Sequence, residues 1–79
     1  MTPAKVRLTF PSELVRRPVI GELVRRFDVL PNIRRADVND DVGWIVCELD
    51  GSPDRVGKAI AWMEEVGVHV DRLEHPLES

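Results

Sequence analysis

The order in which the hydrophobic period changes along this chain restricts its fold more than any other feature. Lys5-Val6-Arg7-Leu8-Thr9-Phe10 alternates polar and apolar residues and stops at Pro11, the pattern of a half-buried strand with Val6, Leu8 and Phe10 inward. From Pro18 the apolar positions Val19, Ile20, Leu23, Val24 and Phe27 recur at three-to-four spacing, with Glu22, Arg25 and Arg26 on the far side. That spacing predicts an amphipathic helix with the proline in its first turn. After Pro31, the stretch Asn32 to Asn39 alternates imperfectly: Ala36 and Val38 share a face and Ile33 is out of phase, which predicts a strand with a bulge near Arg34. Asp40-Asp41-Val42-Gly43 reads as a hairpin turn, and Trp44 to Leu49 as the returning strand, with Ile45, Cys47 and Leu49 inward and Trp44, Val46 and Glu48 outward. Ser52, Pro53 and Asp54 then supply an N-cap, a first-turn proline and a dipole-matched acid for a second helix. Its buried face is Val56, Ala59, Ile60, Met63 and Val66, and Gly67 ends it before a last strand over Val68–Leu73.

The resulting β-α-β-β-α-β order predicts an α+β, ferredoxin-like fold: a four-stranded antiparallel sheet with strand order 4-1-3-2, both helices on one face and the other face open. With 79 residues there is room for one domain, expected over residues 4–75 with flexible termini at 1–3 and 76–79. Residues 1–39 carry a net charge of +4 and residues 40–79 one of −7. In this topology Lys5 and Arg7 lie between Glu48 and Asp71 of neighbouring strands, so cross-strand pairing accounts for most of that asymmetry. No apolar run approaches the ~18 residues of a membrane span and no signal-peptide core follows Met1, so no membrane insertion and a cytoplasmic location are expected.

Several chemistries do not fit the composition. An RNA-recognition sheet needs outward aromatics on its first and third strands; here those positions are Lys5, Arg7 and Thr9, with Trp44 alone on the third, and the pI is near 5.3. No nucleic-acid partner is expected. Cys47 is the one cysteine, too few for a disulfide or a cysteine metal site, and parity turns it inward as a small hydrophobe. His69 and His75 are not spaced as converging ligands, and no serine or threonine has a histidine near it in sequence. The expectation is therefore a protein with no metal, no cofactor and no catalytic residues.

The segment Pro11 to Pro18 remains. If the first helix starts at Pro18, Arg17 stands at the N-cap, where it cannot satisfy the orphan amides that Ser52 satisfies on the second helix, and an uncapped start is open to an anion. Leu14 and Val15 are apolar loop residues beside Arg16 and Arg17, a mixture suited to a small molecule with a carboxylate and an apolar tail. The alternative is that Ser12 caps an earlier turn and Leu14 packs on the core.

At Phe10-Pro11, Pro18-Val19-Ile20, Phe27-Asp28-Val29, Asn32-Ile33-Arg34-Arg35-Ala36-Asp37-Val38, Gly43-Trp44, Glu48-Leu49-Asp50-Gly51 and Ala59-Ile60-Ala61-Trp62, the chain closely resembles the NIL domain. The resemblance implies an ACT-like ferredoxin fold named for an Asn-Ile-Leu at the start of its second strand. Such domains stand at the C-terminus of methionine-uptake ABC transporter ATPases, where they pair into dimers, bind methionine and slow transport. A second branch carries iron–sulfur ferredoxin modules and is associated with sulfur incorporation into homocysteine. Here Arg34 replaces the leucine, and Asn-Ile-Arg-Arg-Ala-Asp-Val is closer to the second branch. With neither companion module in the 79 residues, the resemblance implies a regulatory homodimer that senses methionine or a related sulfur amino acid between subunits. Carried over by position, Asn32 meets the ligand, with Ile33 and Arg34 beside it and Leu14, Val15, Arg17 and Pro18 opposite. The alternative implied is an accessory subunit with no ligand of its own, docked on a sulfur-metabolism protein or a transporter through Trp44 and Val46 on the open sheet face.

Overall fold

The computed structural model describes residues 3–39 and 41–73. Apart from Pro3, the expected flexible ends lie outside the described residues, as do Asp40 of the hairpin turn and His75. Seven elements follow in order: β1 (Ala4–Phe10), a 3-10 turn (Ser12–Leu14), α1 (Val19–Phe27), β2 (Leu30–Val38), β3 (Gly43–Asp50), α2 (Pro53–Val66) and β4 (His69–Arg72). All strand pairs are antiparallel in the order β2-β3-β1-β4, the expected 4-1-3-2 read from the opposite edge. No helix among the described residues is long and apolar enough to cross a membrane.

Parity assigns the faces of the sheet as expected. Val6, Leu8 and Phe10 of β1 and Cys47 and Leu49 of β3 are buried under the helices, where they meet Val19 and Leu23 of α1 and Val56, Ala59, Ile60 and Met63 of α2. The pairing of β2 with β3 slips between Ile33 and Arg35, so Arg34 is the extra residue of a bulge. Because directly opposed residues share a face, the slip returns Ile33, opposite Cys47, to the same side as Ala36 and Val38. The hairpin closes on Asn39, whose Oδ1 accepts hydrogen bonds from the N–H groups of Asp41 (2.8 Å) and Val42 (3.0 Å).

The second helix has the ends its sequence predicts. Ser52 Oγ accepts from the Arg55 N–H, Pro53 opens the helix, and Gly67 at φ +113° leaves it as Val68 N–H bonds back to the Met63 carbonyl. The first helix starts differently. Its N-cap is Pro18, not Arg17, and no side chain caps it. Pro18 sits at φ −78° and ψ 62°, an inverse γ-turn in which Val19 N–H donates to the Arg17 carbonyl over 2.7 Å, so the backbone satisfies one of the orphan amides itself. At the other end Asp28 adopts a left-handed φ of 54° and its carboxylate meets Arg55 across the gap to α2.

The helix layer does not reach the whole sheet. All of β2 is exposed except a half-buried Pro31, and Leu30, Ile33 and Val38 are 62%, 50% and 54% exposed. On the open face the strand registers expected for Lys5, Arg7, Glu48 and Asp71 are present, but the side chains choose other partners. Glu48 takes Arg34, Asp71 lies 3.3 Å from His69, and the Arg7 guanidinium stacks over the Trp44 ring at 4.9 Å.

Candidate functional site

Where β1 ends, the chain must turn back to place α1 over the sheet, and the turn leaves a cleft. Leu14 is held by the Ser12–Leu14 turn, whose N–H bonds to the Pro11 carbonyl, and it packs on the core as well as lining the cleft. Ser12 caps nothing: the residue before the turn is Pro11, with no side-chain cap. Phe10, Leu14, Val15, Val19, Ile20, Val38 and Ile45 supply the apolar wall of a cleft of about 200 Å3, with Arg17, Pro18, Gly21 and Gly43 completing it. That is below the roughly 300–1,000 Å3 of drug-sized sites and is of the scale of an amino-acid side chain.

Arg17 is the cation of the cleft, and it is already engaged. Its Nε–H and Nη2–H donate to Oε2 and Oε1 of Glu22 at 2.8 and 2.9 Å, a bidentate fork on a carboxylate five residues away. The hydrogen bonds, and then the charge, lower the carboxyl of Glu22 and raise the guanidinium of Arg17 from their ordinary values. The same guanidinium lies 5.9 Å from the Trp62 ring centroid, and Arg26 lies 5.2 Å from that ring on its own account. Sequence reading singled out Arg17 and missed Glu22. The available signal was an acid in the first turn of a helix whose start follows two arginines.

Within one chain the expected ligand residues fall into two groups. Leu14, Val15, Arg17 and Pro18 line the cleft. Asn32, Ile33 and Arg34 do not: Asn32 pairs with Glu48, whereas Val38 at the cleft pairs with Gly43, so they occupy opposite ends of β2. Six residues of strand at about 3.3 Å each, shortened by a bulge, separate them by about 15–20 Å. Asn32 is exposed, and Arg34 Nη2–H donates to Glu48 Oε1 at 3.1 Å on the open face. Trp44 and Val46 also lie on that face, half-buried, opposite Thr9 and Arg7 of β1.

Burial, and then the nearby charge of Glu48, push the Cys47 thiol up from 9.0 to about 11, so it stays protonated at neutral pH. Among the described residues no three or more His, Cys, Asp or Glu side chains converge as metal ligands.

Fold and cleft together define a small α+β domain of ferredoxin-like topology with an apolar cleft beside the start of its first helix. The chain belongs to the NIL domain family, whose pattern it matches over residues 4–72. It is 35% identical over 71 residues to the methionine import ATP-binding protein MetN of Myxococcus xanthus, covering 85% of this chain and 22% of that protein. To MetN 1 of Burkholderia ambifaria it is 31% identical over 74 residues, covering 89% and 22%. The chain thus spans about a fifth of the length of the curated relatives it matches. Among solved structures it superposes on the C-terminal domain of an ABC transporter ATP-binding protein from Enterococcus faecalis with a TM-score of 0.81, at 20% identity and over 94% of this chain and 87% of that one, which shows a shared fold.

Proposed function

We propose that this chain is a cytoplasmic, non-catalytic regulatory domain that binds methionine or a close sulfur relative at a site completed by a second copy of itself. The observation that carries the reading is the apolar cleft with an arginine fork at its rim. The ligand's unbranched side chain lies among Leu14, Val15 and Ile20, and its carboxylate takes the place on Arg17 that Glu22 holds in the free chain. Asn32 of the second copy offers a donor and an acceptor to the ligand's polar end, with Ile33 and Arg34 beside it. The methionine import function in the names of its relatives supports the choice of amino acid.

The test is a thermal melt in the presence of methionine. Binding to the folded chain stabilises it by RT ln(1 + [L]/Kd), about 2.7 kcal/mol at a hundredfold excess over Kd, so the melting temperature climbs in a saturable way. Arg17→Ala and Asn32→Ala each remove most of that climb. No shift with any sulfur amino acid at millimolar concentration refutes the reading. It moves the function to the open sheet face, where the half-buried Trp44 under Arg7 and the neighbouring Val46 offer a docking spot for a transporter or sulfur-metabolism partner.

A further inference from the structure

The centre of the open sheet face is neither fully covered nor neutral. Trp44 and Val46 of β3 stand half-buried there, with Thr9 and Asp37 on either side of Trp44 and Arg7 and Arg35 on either side of Val46. Directly opposed residues share a face, so these side chains make one surface. The register also sets Lys5 opposite Glu48 and Arg7 opposite Asp71, but both acids are engaged elsewhere: Glu48 accepts from Arg34, and Asp71 lies 3.3 Å from His69. Among the described residues Lys5, Arg7 and Arg35 thus have no carboxylate partner, while Asp37 is the one acid beside Trp44 and Val46 and has no cation of its own. The unspent charge around the apolar centre is positive.

We propose that this face binds an acidic amphipathic helix of a partner protein, laid along β3 with its apolar stripe on Trp44 and Val46 and its carboxylates on Arg7 and Arg35. The proposal gives a chemistry to the docking spot named above and needs no ligand in the cleft. Arg7 and Arg35 stand one strand to each side of β3 in the same row. Two strand spacings separate their backbones by about 10 Å, and a helix with its side chains is about 10–12 Å wide. A helix centred over Val46 therefore brings one flank above each arginine. Along the strand, Trp44 and Val46 are two residues apart, about 6.6 Å, and side chains four apart on a helix are separated by about 6 Å. One i, i+4 apolar pair meets both.

The contact of Arg7 with Trp44 suits this role. Its guanidinium lies 4.9 Å from the ring centroid, a stack that holds the group in place and leaves N–H edges for a carboxylate, which it can take bidentately. A docked helix excludes water from the ring and so strengthens both the stack and the ion pair beside it. A nucleic acid is the poorer match. Asp37, Glu48 and Asp71 are spread across the same face and repel a phosphate backbone, and Trp44 is the one aromatic there on which a base could stack. A helical protein segment can place its acids over the arginines and keep its remaining length neutral, which a phosphate chain cannot.

The probe is a synthetic four-turn helix with a leucine stripe flanked by glutamates, compared with its lysine twin and with a scrambled glutamate peptide. Fluorescence anisotropy of the labelled peptide gives the affinity, and the two indole N–H signals of the isotope-labelled chain give the position. Trp44 reports the open face, and Trp62, in the helix layer beside Phe27, is the internal control. The glutamate helix should bind in a saturable, salt-sensitive way and move the Trp44 signal while leaving that of Trp62 in place. Arg35→Glu and Arg7→Glu should each weaken it by about ten- to a hundredfold, with the circular dichroism of the fold unchanged because both residues are exposed. The double variant should bind the lysine twin instead. The proposal is overturned by a glutamate helix that does not bind at millimolar concentration, by a scrambled peptide that binds as well, by a response at Trp62 in place of Trp44, by variants that bind like the parent, or by a single-stranded oligonucleotide that takes the Trp44 surface more tightly than the peptide. A methionine-induced rise in melting temperature without peptide binding refutes this surface alone; peptide binding beside a melt indifferent to methionine refutes the ligand alone.

Discussion

Replacing Gly67 and Gly57 by alanine, one at a time, should move stability in opposite directions. Gly67 ends α2 at φ +113°, and a Cβ there would stand 3.3 Å from Leu14 Cδ1. An L side chain in the left-handed region costs about 1–2 kcal/mol, and the lower entropy of the unfolded chain returns about 0.4–1 kcal/mol. Leu14 must also yield by a few tenths of an ångström inside a packed core, so Gly67→Ala comes out destabilising by about 1–2 kcal/mol. At about 4–8 °C per kcal/mol for a domain of this size, the melting temperature falls by roughly 4–15 °C. Gly57 lies in the interior of α2, exposed, with nothing within 4 Å of its added Cβ. There alanine gains about 0.5–1 kcal/mol of helix propensity, and the melting temperature rises by roughly 2–8 °C. Thermal melts followed by far-ultraviolet circular dichroism measure both. Because Leu14 also lines the cleft, Gly67→Ala should in addition blunt the methionine-induced shift, whereas Gly57→Ala leaves it intact. A Gly67→Ala variant melting within about 2 °C of the parent, or above it, would refute the reasoning that backbone conformation and contact at this helix end dominate.

The Cys47 thiol, raised to about 11, binds its proton more tightly in the folded chain than in the unfolded one, so its contribution to stability is complete below about pH 9 and is lost as the pH climbs through 11. Urea denaturation across that range should show falling stability, Cys47→Ala should flatten the fall, and a thiol reagent at pH 8 should label the native chain only as fast as it unfolds. Trp44→Ala removes a half-buried ring of the open face and a cation–π contact worth about 0.5–1 kcal/mol, so its cost should be small beside that of Leu8→Ala, a fully buried side chain whose loss costs about 2–5 kcal/mol. Equal losses in urea denaturation would mean that Trp44 is a core residue.

Local chemistry determined a great deal in this chain. Period-two and three-to-four spacings, Ser52, Pro53 and Gly67 specify the strands, the helices and both ends of α2, because propensity, capping and burial all act within a few residues. Even the bulge was legible, since Ile33 is out of step with Ala36 and only an extra residue restores the phase. Chain order then leaves few topologies open, and the handedness of crossovers selects among them. Tertiary structure decided the rest. Pro18 rather than Arg17 became the N-cap of α1, because a proline-centred γ-turn satisfied the first amide from the backbone. Arg17 found Glu22, and Glu48 found Arg34 instead of Lys5, because exposed side chains choose among neighbours by reach and geometry that spacing does not encode. Asn32 and the Leu14–Pro18 loop were separated by the β2–β3 register, and β2 was left bare by where the helix layer stops. Both outcomes depend on how far packed elements extend in three dimensions, a length that no periodicity in the sequence carries.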